Sequence, residues 1–109
     1  MRRLLVAAAF ASLLACRSTP PPAEGVPATR GQALFQQHCA ACHDVNSRAK
    51  KIGPGLKGVF QSGKLADGKP ATEANIRARV DSGGGGMPPF ADVLAGPERD
   101  DLIAYLRAL

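Results

Sequence analysis

Near the middle of this 109-residue chain stand two cysteines and a histidine, in the run Cys39-Ala40-Ala41-Cys42-His43. On a helical turn, residues three and four apart share a face, so these three side chains can meet one flat object together. A CxxCH run of this kind attaches a c-type haem. The sulfurs of Cys39 and Cys42 would form thioethers with the porphyrin vinyl groups, and His43 would reach the iron from the proximal side. Two rival chemistries share the CxxC spacing. A zinc site needs a second ligand pair, yet the only other cysteine is Cys16 and the only other histidine is His38, next to Cys39. A thioredoxin-like site expects strands alternating with helices, and almost no period-two pattern exists here. Two buried cysteines beside a satisfied histidine is the plain structural alternative.

A haem iron bound by His43 has a sixth position. Once Met1 is removed with an export signal at the amino end, Met87 is the one methionine left. His38 lies five residues from His43 on the same helix and cannot reach the opposite side of the ring. Lysine must first lose a proton to ligate. Met87 is the remaining candidate for distal iron ligand. It sits in Gly83-Gly84-Gly85-Gly86-Met87-Pro88-Pro89-Phe90, where glycines let backbone pass close to a flat ligand and the two prolines stiffen the chain after the methionine. Read by itself, such a segment is a flexible linker with a methionine as core filler.

Three helices are expected to position these groups. The first opens at Thr29-Arg30-Gly31-Gln32, a capping-box pattern, and runs through Leu34 and Phe35 into the CxxCH motif. The second runs from near Thr72 to about Ser82, with Ile76 and Val80 on one face and Gly83 as its stop. The third begins at Gly96-Pro97-Glu98, with proline in a favoured first-turn position, and continues through Leu102, Ile103, Tyr105 and Leu106 to Leu109.

The amino end reads differently. Met1-Arg2-Arg3 followed by the twelve-residue run Leu4 to Ala15, apolar but for Ser12, has the basic start and short apolar core of a secretory signal. It is too short for the ~20 apolar residues that span a bilayer. Leu13-Leu14-Ala15-Cys16 resembles the lipobox of bacterial lipoproteins, in which the cysteine is acylated and becomes the first mature residue. Residues 1–15 are therefore expected to be removed, and residues 16–28, rich in proline, to form a lipidated tether. With Cys39 and Cys42 used by haem, Cys16 is the odd cysteine, and lipidation gives it a role. Ordinary cleavage that leaves a soluble periplasmic protein is the alternative.

The domain over residues 29–109 is small, and small domains need a staple. From Ala28 onward, eleven Lys and Arg face eight Asp and Glu, a net +3 that two haem propionates would cut to about +1. Nothing in that balance points to nucleic acid.

In this order the parts resemble class I c-type cytochromes. Gly31 with Phe35, Cys39 to His43, Gly53-Pro54-Gly55-Leu56, Gly86-Met87-Pro88-Pro89-Phe90 and Leu102-Ile103-Ala104-Tyr105-Leu106 carry the resemblance. The resemblance implies an all-α cytochrome c fold, with about three main helices wrapped around one covalent haem c and the first and last helices crossing. Gly31 would permit the close approach, with Phe35, Leu102 and Tyr105 packed there. It also implies that the Pro54 carbonyl accepts a hydrogen bond from the free ring nitrogen of His43, which fixes the ring. The family's tryptophan has no counterpart, so Arg48, Lys51, Arg77 and Arg79 are candidates to hold the propionates.

The function expected from these readings is one-electron transfer. With both axial positions filled, the iron has no place for a substrate, so the chain is expected to be a carrier rather than an enzyme. Its partners would be redox proteins: a donor dehydrogenase or respiratory complex and an acceptor oxidase or reductase. Lys50, Lys51, Lys57, Lys64 and Lys69 could steer an acidic one. A monomer on the periplasmic face of a bacterial membrane, held through Cys16, is expected. The alternatives are a haem enzyme or gas sensor in which Met87 leaves the iron, and a haem subunit of a larger oxidoreductase.

Overall fold

The computed structural model describes residues Gly25–Leu109. The expectations for residues 1–15, and for Cys16 and the tether up to residue 24, lie outside that range.

The first helix, α1, spans Pro27–His38 and starts two residues before the Thr29 boundary. Val26 is its N-cap, and Pro27 takes the first helical position, where a missing N–H costs nothing. The Thr29–Gln32 capping box is therefore not formed, because both residues already lie inside the helix. A single 3-10 turn at Val59–Gln61 comes after the long central loop. The second helix, α2, spans Glu73–Ser82, and the Thr72 hydroxyl accepts from the Asn75 N–H at 3.3 Å. The third helix, α3, spans Gly96–Arg107, with the Glu98 carboxylate accepting from the Ala95 N–H at 2.9 Å. Among the described residues only two isolated bridges occur and no strand.

The core forms where these helices meet. Phe35 from α1, Ile76 and Val80 from α2, and Leu102, Ile103 and Leu106 from α3 close over Val59, Phe90 and Leu94. Phe35 and Leu102 are the most enclosed, at 2% and 1% exposure. Helices α1 and α3 cross in close contact. A Cβ added to Gly31 would fall inside the Asp101 carbonyl and 2.8 Å from Tyr105 Cβ. The Phe35 and Tyr105 rings stand 5.6 Å apart and tilted by 58°. At the rim of this crossing, both carboxylate oxygens of Asp101 accept from the Arg30 guanidinium, at 2.7 and 2.9 Å.

Those bonds from Arg30 hold the Asp101 carboxyl below the usual carboxylate range. The Lys69 backbone N–H and then the Arg79 side chain do the same for Asp67. A carboxyl whose folded-state value is lowered gives stability that is complete above the unfolded value of about 4 and is lost as pH falls. Urea-unfolding stability is therefore expected to drop as the solution is acidified below about pH 4, and Asp101→Asn should flatten part of that slope. An unchanged slope in that variant would show that the pair does not differ between folded and unfolded chain.

Candidate functional site

The haem motif begins where α1 ends. Cys39 caps the helix, its N–H bonded to the Phe35 carbonyl at 2.8 Å, and the Cys42 and His43 N–H groups both reach back to the Cys39 carbonyl at 3.0 Å. The α-helix thus stops before the motif, but a helical turn carries it, and that turn keeps the three side chains near one another. Both cysteines are free thiols and partly exposed. Burial first, and the neighbouring Cys42 second, push the Cys39 thiol up to about 11. A thiol exchanger needs the opposite shift. Among the described residues, no three His, Cys, Asp or Glu side chains converge as ligands for one ion.

His43 is held from two directions by the loop after the motif. The Pro54 carbonyl lies 2.9 Å from Nδ1. A carbonyl only accepts, so Nδ1 carries the proton and Nε2 is left with the lone pair that a metal needs. Gly53 lies flat against the ring: a Cβ there would stand 2.5 Å from Cε1 and 2.8 Å from Nδ1. Two further bonds tie this loop to the motif, from the Gly53 N–H to the Cys42 carbonyl at 2.7 Å and from Lys51 Nζ to the Ala40 carbonyl at 3.1 Å. The sequence points to Pro54 through a resemblance whose quoted run includes Gly53, but not to the packing of Gly53 on the ring or to the bond from Lys51, which it offers as a candidate propionate holder.

Met87 lies on the segment between α2 and α3. The four glycines form a tight hairpin rather than a loose linker. Gly84 and Met87 pair in both directions, at 2.9 and 3.1 Å, around Gly85 and Gly86 with φ of +62° and +92°. Met87 then rests half-buried against the core that Cys39 and Ala40 also touch. His38, last in α1, meets the Phe90 ring edge-on at 6.1 Å, linking the two regions. Leu56, Phe60 and Leu65 are likewise apolar, part-exposed and packed on this core. A metal-ready Nε2, paired thiols, a thioether and an apolar rim fit a flat apolar macrocycle with a central metal.

Of the four candidate propionate holders, two are committed elsewhere. Arg77 pairs with Glu73 at 3.3 Å and Asp100 at 2.9 Å, and Arg79 with Asp67 at 2.5 Å. Lys51 sits on the Ala40 carbonyl. Arg48 has no carboxylate partner among the described residues.

Residues 26–106 match the family model described as cytochrome C oxidase, cbb3-type, subunit III. The chain is 34% identical to a cytochrome c6 of Synechocystis sp. over 70% of its own length and 60% of the relative. It is 36% identical to a cytochrome c-553-like protein of the same organism, covering 75% of this chain and 69% of that one. To a cytochrome c6 of Picosynechococcus sp. it is 30% identical, covering 97% and 92%. The chain therefore belongs to the c-type cytochromes of class I, electron carriers that hold haem c covalently.

Proposed function

We propose that this chain carries single electrons through one haem c bound by the Cys39 and Cys42 sulfurs and ligated by His43 and Met87. Bound haem supplies the Fe(III)/Fe(II) couple. The chain's residues keep both states alike: Pro54 and Gly53 fix the imidazole, and the glycine hairpin fixes the thioether. A site that does not rearrange on electron gain or loss suits a carrier. The observation that supports this reading is the contact of His43 Nδ1 with the Pro54 carbonyl at 2.9 Å, which leaves Nε2 of the neutral ring free to ligate a metal.

The test is Met87→Ala in the haem-loaded protein. The weak red-end band of methionine-bound ferric haem should be present in the parent and absent in the variant. The potential should fall by on the order of 0.2 V, within the ~0.8 V span that axial ligands set. A parent protein that is high-spin and binds carbon monoxide rapidly would favour a sensor or enzyme instead.

The placement is part of the same proposal. Residues 1–15 act as a lipoprotein signal, Cys16 is acylated, and the chain after it, shortened from 16–28 because α1 already begins at Pro27, tethers the domain to the periplasmic face of a membrane, where its redox partners lie. No helix among the described residues is long and apolar enough to cross a membrane, so attachment in this reading rests on Cys16. Cys16→Ser should move the protein from the membrane fraction to the periplasmic extract; retention in the membrane would rule out the lipid. The cbb3 subunit description of the matching family model favours one variant of the reading, a carrier docked to a larger oxidoreductase. Co-purification of an intact partner from detergent would show that.

A further inference from the structure

The four glycines that present Met87 bring no side chains of their own to hold the hairpin in place. One residue of α2 grips its mouth. The Arg79 carbonyl accepts from the Gly83 N–H at 2.8 Å, and Nη1 of the same residue donates to the Gly83 carbonyl at 3.1 Å. Both polar groups of Gly83 are thereby taken by Arg79. The guanidinium also lies against Gly84, where a Cβ would stand 2.6 Å from Nη1. Glycine at 84 is what admits it, whereas a Cβ on Gly85 or Gly86, at the tip, would meet nothing within 4 Å.

Arg79 is itself aimed from outside the helix. Its Nη2 donates to one oxygen of the Asp67 carboxylate at 2.5 Å, and the other oxygen accepts from the Lys69 N–H at 3.0 Å. Asp67 belongs to a closed turn, in which the Leu65 N–H meets the Lys69 carbonyl at 2.8 Å, the Ala71 N–H meets the Gly63 carbonyl at 3.1 Å, and Leu65 rests on the core. A planar guanidinium serves two acceptors from two fixed nitrogens, so turn and hairpin are joined through one rigid fork. The far end of the Met87 segment is fixed differently: the Phe90 N–H bonds the Val80 carbonyl at 2.9 Å, and Arg99 Nη1 donates to the Ala91 carbonyl at 3.2 Å. That exit is tied to both α2 and α3, while the entry has α2 and the fork.

We propose that Arg79 is a positioning residue for Met87 and that Asp67 orients it: the pair braces the mouth of the glycine hairpin and sets how long the thioether stays on the iron. The brace has this role only if Met87 ligates the iron, and so rests on the function proposed above. A carrier needs that bond to outlast each encounter, because an iron that sheds Met87 opens a position to small ligands. Shedding requires the hairpin to swing away from α2, and the bond from Nη1 to Gly83 resists that swing.

Imidazole added in excess to the oxidised, haem-loaded protein reads that lifetime, since at saturation its binding rate equals the rate at which Met87 leaves. Arg79→Gln should raise this limiting rate about fivefold and Asp67→Asn about threefold. The double variant should match Arg79→Gln alone, rather than reach the roughly fifteenfold of independent sites. Arg79→Lys keeps the charge but brings one nitrogen to two acceptors, so it should stay about threefold above the parent. Exchange of the Gly84 and Met87 amides, followed by NMR, should quicken in the same order while the urea midpoint hardly moves. Arg77→Gln makes the same charge change on the same helix, at a residue paired with Glu73 and Asp100, and should leave the limiting rate within about 1.5-fold of the parent. An unresponsive rate in Arg79→Gln, an equal rise in Arg77→Gln, or a double variant near about fifteenfold would overturn the brace. The parent's spectrum separates the two failures. If the red-end band is present while the rates do not respond, Met87 ligates and the brace is wrong; if the band is absent, ligation fails and the brace falls with it.

Discussion

Replacing Gly31 with alanine should lower the stability of the domain by about 2–3 kcal/mol, and its Tm by about 10–20 °C, given the size of the fold. The added methyl group would overlap the Asp101 carbonyl and stand 2.8 Å from Tyr105 Cβ. Neither neighbour can swing aside, because one is backbone inside α3 and the other is the root of a side chain packed on Phe35. The helices must separate, loosening Phe35 and Leu102 and stretching the Arg30–Asp101 pair. Alanine gains about 1 kcal/mol over glycine in helix propensity, which offsets only part of this. Gly96→Ala is the control, since nothing lies within 4 Å of a Cβ there. It should leave thermal unfolding almost unmoved. A Gly31→Ala protein that melts within about 3 °C of the parent would mean that the crossing is far softer than its geometry implies.

Gly83→Ala should cost about 3 kcal/mol, by a different route. Gly83 ends α2 with φ 65° and ψ −148°, a conformation that glycine adopts and other residues hold only with strain of about 1–3 kcal/mol. A Cβ there would also strike the Met87 carbonyl and approach the Pro88 carbonyl carbon to 2.7 Å. The damage should reach the thioether that the hairpin presents. In the haem-loaded protein the proposed methionine–iron band should weaken or disappear, although Met87 itself is intact. Gly85→Ala separates strain from collision, because Gly85 has φ +62° with nothing within 4 Å of a Cβ. Its cost should stay near 1 kcal/mol, with the band retained. Equal losses in the two variants would show that only backbone strain matters.

What can be read in the sequence is local or periodic. Cys39, Cys42 and His43 declare themselves by spacing within a single turn, and Ile76 and Val80 by their i, i+4 relation on α2, so each needs no knowledge of distant chain. Phe35 and Leu102 come from the family resemblance, because their meeting depends on a crossing that no window of the sequence contains. The start of α1 is misplaced because two start signals compete. Pro27 fits the first turn at no cost, and that places Thr29 and Gln32 inside the helix, where their side chains have no orphan N–H to cap. The glycine run reads only as permissive backbone. That it is a hairpin depends on Gly84 and Met87 pairing, a result of tertiary placement. The pairing of arginines with carboxylates is invisible for the same reason: Arg30 and Asp101 are 71 residues apart, and pairing at that distance is known only from the fold. Arg77 and Arg79 look equivalent to Arg48 as candidate anion holders until their carboxylate partners separate them.

The long span between Arg30 and Asp101 also bears on how the molecule comes apart. Docking α1 on α3 closes a loop of 71 residues, at an entropic cost of about 4 kcal/mol beyond the constant for any closure. Once closed, that clasp need not reopen for the segment inside it to fluctuate. Residues 44–70 contain only one short 3-10 turn and many loop hydrogen bonds, with Val59 the one buried residue of the segment, so their amides are expected to exchange ahead of those of the two docked helices. The domain thus holds two tiers of protection. The rigid tier is the pair of crossed helices, and the softer tier bears the grip on His43.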